Sequence, residues 1–402
     1  MEDWSILTLI TFADRLDKLP PYLFVDIRQK IVDAKEKGVD VISLGIGDPD
    51  HPTPDPIVDT LCQNICNAED LDRHRYGCDN PVDEFPNEII DYYNRRFNVN
   101  LTEEQVAITM GSKDAIVKLS LGILNPGDIG IAASPGYPTY NIGHVFSSAT
   151  TYYAPILREN DFYVDFDAIP VEVKRLAKVL WINYPNNPTT ATADLDFFKR
   201  AIEFGRQNDI LIAHDNAYSE NTYDGYKSDS ILQVDGADEV AVEFFSLSKA
   251  FNMTGWRLGF VVGNSTAVQA VKKVKDNIDN GSLRALQYAG AKALSIADEI
   301  TPRLNDIYQK RRDIVVDTLV DSGWSLDKPK ATMYVWAPVP ERFDGSSRAF
   351  ATELLDDAGV VVTPGLGYGQ WSEGYFRISL TYPDDIIETA INRIQEFSSK
   401  KL

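Results

Sequence analysis

Lys249 stands at the end of the apolar run EVAVEFFSLS, with Ser246 and Ser248 just before it and Arg257 eight residues after it. A lysine there can simply mark where a buried strand reaches water. It can also be a nucleophilic amine beside a phosphate grip, because two hydroxyls and a guanidinium suit an oxyanion. Other apolar runs end in residues of similar character. MGSKD (110–114) closes one with Gly111 and Ser112 and then opens a helix, whose first backbone N–H groups suit a phosphate. SPGYPTY (134–140) ends another with Tyr137, which can pack in a core or stack on a flat ring. NYPNNPT (183–189) carries Asn187 before Pro188, at a strand-to-turn position where an amide can face a cleft. IAHDNAY (212–218) ends with Asp215, and Tyr218 follows three residues on. A carboxylate after an apolar strand is costly unless paired or solvated, and a protonated ring nitrogen is one suitable partner.

Together these residues outline a ligand with a phosphate, a flat ring, a phenolic oxygen, a ring nitrogen needing a counter-ion and an aldehyde needing an amine. That ligand is pyridoxal 5'-phosphate.

The elements that must hold these residues alternate along the chain. VAITMGS, DIGIAASP, TTYYAPI, KVLWINYP, ILIAHDNA, VAVEFFSLS and RLGFVVG read as strands, with KDAIVKLSLGIL and DLDFFKRAIEFGRQND as helices between some of them. The pattern predicts an α/β fold, a mostly parallel sheet between two helical layers, with functional residues at the strand C-terminal ends. Residues 265–321 read as helical, and the remainder mixes strands (MYVWAPV, GVVVTP, YFRISL) with helices (SRAFATELLDD, DIIETAINRIQEF). This gives a large domain at 47–290, a small α+β domain at 291–402, and an N-terminal arm with part of the small domain at 1–46.

Composition bounds the function classes. The chain of 402 residues is 44% apolar and 11% aromatic, enough for an extensive core, and its net charge of −21 disfavours nucleic acid or an anionic membrane as partner. Cys62, Cys66 and Cys78 are too few for a disulfide framework, and none of the four histidines has zinc-like spacing to them, so no metal site is expected. The N-terminal WSILTLITF is too short to span a membrane and lacks a cleavage pattern. A cytoplasmic location follows.

The run SLSKAFNMTGWRLG, with NYPNNPT, HDNAYSE, GSKD, SPGYP and EGYFRIS in this order, resembles the class I/II aminotransferases of fold type I. The ordering is most similar to the LL-diaminopimelate aminotransferase-like branch, over about Phe12 to Phe397. The resemblance implies that Lys249 forms the Schiff base with the cofactor and then serves as base and acid at the substrate Cα. It implies that Asp215 pairs with the ring nitrogen, that Asn187 and Tyr218 bind the ring's 3-oxygen, and that Tyr137 stacks on the ring. The phosphate would be held by Ser112, the backbone of Lys113, Ser246, Ser248 and Arg257, and by Tyr76 from the partner subunit of a homodimer with shared sites. Arg377 would grip the substrate carboxylate two-pronged, with Asn187 and the Gly45 loop beside the substrate.

Three departures bear on the substrate. YGCDNPV (76–82) has Asn80 and Pro81 where relatives carry an acidic residue and a glycine, which weakens the case for diaminopimelate. Thr190 replaces the usual glycine after NPT. His51, in GIGDPDHPTP, resembles a histidine of pyridoxal-phosphate-dependent arginine oxidases. The leading expectation is transfer of the α-amino group of a polar or cationic L-amino acid to a 2-oxo acid. The alternative is a dioxygen-dependent L-arginine oxidase or hydroxylase yielding a 2-oxo acid and ammonia, with His51 as a catalytic residue. The segment MEDWSILTLITF would then cover the site; otherwise it is an arm swapped between subunits.

Overall fold

The computed structural model describes residues 11–19, 23–77 and 82–399. Its strands are β1 (Ile42–Ser43), β2 (Val106–Thr109), β3 (Ile129–Ser134), β4 (Thr150–Pro155), β5 (Ala177–Asn183), β6 (Leu211–Asp215), β7 (Ala241–Ser246), β8 (Gly259–Gly263), β9 (Tyr334–Pro338), β10 (Val360–Val361), β11 (Thr363–Pro364) and β12 (Tyr375–Ser379). All seven strand-like runs between residues 106 and 263 enter one sheet, in the order β2-β8-β7-β6-β5-β3-β4. Neighbours from β7 to β4 run parallel, and β8 lies antiparallel to both β2 and β7.

The apolar runs lack a polar face because both faces of the sheet are covered, as a sheet sandwiched between helices requires. Along β5 the side chains alternate: Leu180 and Ile182 join the core under helix Leu195–Asn208, while Val179 and Trp181 join the core under helices Ser112–Ile123 and Ser265–Ile278. The one acid inside β7, Glu243, is fully buried and heavily bonded. Its carboxylate accepts from Tyr93 Oη (2.7 Å), Ser230 Oγ (2.9 Å) and Ile231 N (3.1 Å), and faces His214 Nδ1 at 2.9 Å. Four partners offset the desolvation that would otherwise exclude a charge here.

A second, antiparallel sheet in the order β11-β12-β9 packs with helices Ala297–Asp321, Ser347–Ala358 and Asp384–Ser399 into its own apolar core. The N-terminal segment joins this part: β1 pairs with β10, and Lys30 Nζ donates to Thr352 Oγ1 at 2.8 Å. That core also takes in Ala217, Tyr218 and Tyr223 from beyond β6, so the two sheets meet where the parallel strands end.

The strand expected through VAVEFFSLS stops earlier. Ser246 is its last paired residue, opposite Gly259, and Leu247–Ala250 coils into one helical turn. Lys249 thus sits on a helical turn and not on a strand. No helix among the described residues is long and apolar enough to cross a membrane.

Candidate active site

Four neighbouring strands end in polar residues that line one cavity of about 550 Å³: Ser134 on β3, Asn183 on β5, Asp215 on β6 and Ser246 on β7. Parallel register sets Asn183 abreast of Asp215. Asn183 then organises the turn that follows β5. Its Oδ1 accepts from Asn187 N (2.8 Å), and its Nδ2 donates to the carbonyl of Asp215 (2.6 Å). This presents Asn187 to the cavity.

One end of the cavity is built for an anion. Gly111 caps helix Ser112–Ile123 with φ +85°, and a Cβ there would lie 2.9 Å from Arg257 Nη2. The first N–H groups of that helix lack intrahelical acceptors. Arg257, itself at φ +56°, donates to the carbonyls of Thr254 (3.0 Å) and Met110 (3.2 Å), which hold its guanidinium beside this helix start. Ser248 Oγ is buried and lacks a protein partner. Burial, with Arg257 adding repulsion, lowers the Lys113 ammonium below the usual lysine range.

Deeper in, Asp215 is buried with Oδ2 accepting from Tyr140 Oη at 2.9 Å and Oδ1 without any protein partner. Burial raises its carboxyl to about 6, against the pull of the Tyr140 hydroxyl. Tyr140 is fixed in turn by stacking on Trp181, 5.2 Å between centroids and 8° between planes. A buried carboxylate with one open oxygen fits a cation, and a protonated ring nitrogen is such a group. Tyr137 lines the same space, edge-on to Tyr140 at 6.1 Å.

Lys249 reaches the cavity, where Nζ donates to the carbonyl of Gly47 at 2.7 Å. Burial lowers its ammonium below the ordinary lysine value and favours the free amine, the nucleophilic form. Facing it, Arg377 is 2% exposed and forms no ion pair with a carboxylate among the described residues. Its Nη1 donates to Asn187 Oδ1 (2.7 Å) and its Nη2 to Gly45 O (2.8 Å), while Nε lacks a partner. The guanidinium lies between the rings of Tyr334 and Tyr368, 3.9 and 5.2 Å from their centroids. A buried cation without a counter-ion is a strong demand for an anionic ligand.

The structure gathers Ser112, Lys113, Tyr137, Asn187, Asp215, Tyr218, Ser246, Lys249 and Arg377 around this cavity. It does not bring His51 there. His51 Nε2 faces Arg311 Nη2 at 3.3 Å, beside the Asp50–Arg311–Asp384 ion-pair network, because the loop after Gly47 turns toward helix Ala297–Asp321. Tyr76 is 65% exposed and does not line the cavity either. Asn80, Pro81, Cys78 and most of MEDWSILTLITF fall outside the described residues. Cys62 and Cys66 are exposed free thiols on helix Asp55–Cys66. Sequence reasoning missed Tyr140, Tyr334, Tyr368 and Trp371, which also line the cavity. Tyr140 and Tyr334 lay within runs already quoted, SPGYPTY and MYVWAPV, but nothing in those runs set them apart from core tyrosines.

The fold and the cavity define a fold type I pyridoxal-phosphate enzyme. A family model for aminotransferase class I and II matches residues 39–394. The chain is 47% identical to the LL-diaminopimelate aminotransferase of Moorella thermoacetica, over 96% of this chain and 98% of that protein. It is 46% identical to the enzyme of the same name from Gloeobacter violaceus, over 95% and 97%. Among solved structures it is similar to apo-BacF from Bacillus subtilis, with TM-score 0.91, 36% identity, and 97% and 99% of the two chains covered. The chain therefore belongs to the aminotransferase class I and II family, and it is a pyridoxal-phosphate-dependent aminotransferase acting on an amino acid. The oxygen-dependent alternative finds no support in these relatives.

Proposed function

We propose that this aminotransferase takes the α-amino group of LL-diaminopimelate, or of a closely similar polar amino acid, and delivers it to a 2-oxo acid such as 2-oxoglutarate. The observation that carries amino transfer is the buried guanidinium of Arg377, without an ion pair among the described residues, lining one cavity with the amine of Lys249. The names of the relatives, at 46–47% identity over nearly the whole chain, supply the substrate.

Pyridoxal phosphate, when bound, supplies an aldehyde for the substrate amine and a protonated ring that draws electrons from the Cα–H bond. Arg377 holds the α-carboxylate of each substrate in turn and so fixes which bond at Cα faces the amine. Lys249 would take the proton from the substrate Cα, a role that its lowered ammonium pKa suits. Asp215, with its open Oδ1, would hold the ring nitrogen and favour its protonated form. Tyr218 and Asn187 donate to the ring oxygen, and Tyr137 stacks on the ring. Ser112, the Lys113 backbone, Ser246, Ser248 and Arg257 hold the phosphate.

Asp215 is the sole carboxylate among the described lining residues, so these residues offer no second acid to a distal ammonium. The same reading therefore includes a homodimer in which Tyr76, exposed on its own subunit, reaches the phosphate in the partner's site. It also includes domains at 47–290 and at 291–402 with 1–46, supported by the β1–β10 pairing, and a reducing, cytoplasmic setting, supported by the free thiols.

The test is glutamate formation from LL-diaminopimelate and 2-oxoglutarate under nitrogen. Glutamate is expected, together with a dimeric mass in solution. Turnover of other amino acids with none of LL-diaminopimelate would sink the substrate. Turnover that requires oxygen would sink the reaction.

A further inference from the structure

Tyr334 on β9 and Arg377 on β12 lie diagonally across an antiparallel pair in which Tyr334 opposes Ser379 and Trp336 opposes Arg377, so both side chains share one face. The ring of Tyr334 lies 3.9 Å below the guanidinium. Its hydroxyl is 3.1 Å from that of Tyr218. It also presses on the Gly47 loop, where a Cβ at Gly47 would sit 2.0 Å from its oxygen. Lys249 donates to the carbonyl of that same glycine. The phenol is thus held between the Arg377 guanidinium, the Tyr218 hydroxyl and the Gly47 loop that Lys249 also engages.

Two hydroxyls that share one hydrogen bond have one donor between them, and the stronger acid takes that part. We propose that Tyr334 is a positioning residue for amino transfer: it donates to the Tyr218 hydroxyl and so leaves the Tyr218 proton to point into the cavity. Burial pushes the Tyr334 phenol up, but Arg377 above its ring, Lys249 and the hydrogen bonds with Tyr218 and Arg377 together bring it below the ordinary tyrosine value. Burial pushes Tyr218 up, and Tyr334 adds to that rise. The order of acidity therefore matches the proposed direction of donation. Arg377 also fixes the Tyr334 ring through its face, so one cation serves both the substrate carboxylate and the orientation of the donor chain.

This rests on the placement of Tyr218 beside the cofactor's ring oxygen. A donor to that oxygen disperses its negative charge. Weakening the donor leaves more charge there, which holds the neighbouring proton more tightly and raises the pH midpoint of the bound cofactor's visible absorbance.

The experiment titrates that absorbance in the holoenzyme for the parent, Tyr334→Phe, Tyr218→Phe and the double variant. Phenylalanine keeps the ring beneath Arg377, and a thermal melt checks that each variant is folded. Tyr334→Phe should raise the midpoint by about 0.5–1 unit. The shift should vanish when Tyr218 is already Phe, because the effect runs through that hydroxyl. A midpoint that moves in Tyr218→Phe but stays within about 0.2 unit in Tyr334→Phe overturns the proposal. So does full additivity of the two shifts. If neither variant moves the midpoint, the placement of Tyr218 itself fails and the proposal falls with it.

Discussion

Asp215, proposed above to hold the cofactor's ring nitrogen, is costly to the cofactor-free protein. Burial raises its carboxyl to about 6 in the cofactor-free protein. An acid raised in this way binds its proton more tightly folded than unfolded. It therefore favours folding below the unfolded pKa of about 4, and that contribution is lost as pH rises through about 6. Asp215→Asn should stabilise the cofactor-free protein by roughly 2–3 kcal/mol near pH 7.5 and have no effect below about pH 4. Thermal melts of the cofactor-free protein across that range check it. With the cofactor bound, the same substitution should weaken cofactor retention if Asp215 holds the ring nitrogen as proposed, because that nitrogen would lose its counter-ion. Asp215, Lys249 and Asn187 were legible in sequence because polar residues that end apolar runs are conspicuous. Tyr140 and Tyr334 were not, since a tyrosine inside an apolar run looks the same whether its hydroxyl is idle or meets Asp215 or Tyr218. His51 was misleading for the converse reason. It is close in sequence to the Gly45–Gly47 loop, but its side chain turns to Arg311.

At the scale of elements, the turn after β5 carries a local strain that the sequence announced without explaining. Thr190, at the position the family resemblance gives to glycine, has a φ of +64°, in the left-handed region that β-branched residues rarely adopt. The turn holds it there through Thr190 N to Asn186 O (2.9 Å) and Asn186 N to Ala191 O (2.8 Å). Thr190→Gly should relieve roughly 1 kcal/mol of this strain and raise the melting temperature. A melting temperature that falls would show that the threonine side chain contributes more than its backbone costs. The large sheet was readable because each buried strand is an apolar run bounded by turn residues. Its strand order and the antiparallel β8 were not, because they depend on which neighbour each strand meets. The end of β7 was overestimated for the same reason: Leu247 and Ser248 suit a strand, but the paired ladder ends at Ser246 opposite Gly259 and Leu247–Ala250 coils into a helical turn.

At the scale of the whole molecule, charge is distributed against the overall balance. The chain carries a net −21, yet among the described residues its cavity is lined by Lys113, Lys249 and Arg377 against one acid, Asp215. Composition had nothing to say about this inversion, because a net charge sums over surfaces that never meet.

The guanidinium of Arg377, buried without a counter-ion, has a consequence outside catalysis. Anything that binds the folded chain and not the unfolded one stabilises it by mass action, by about 2.7 kcal/mol at a hundredfold excess over its dissociation constant. Small carboxylates that cannot react, such as succinate or maleate, should therefore act as folding ligands for the cofactor-free protein. Its melting temperature should climb with the logarithm of their concentration, and Arg377→Gln should flatten that response. The enzyme without its cofactor would then report, through heat resistance alone, how much carboxylate surrounds it.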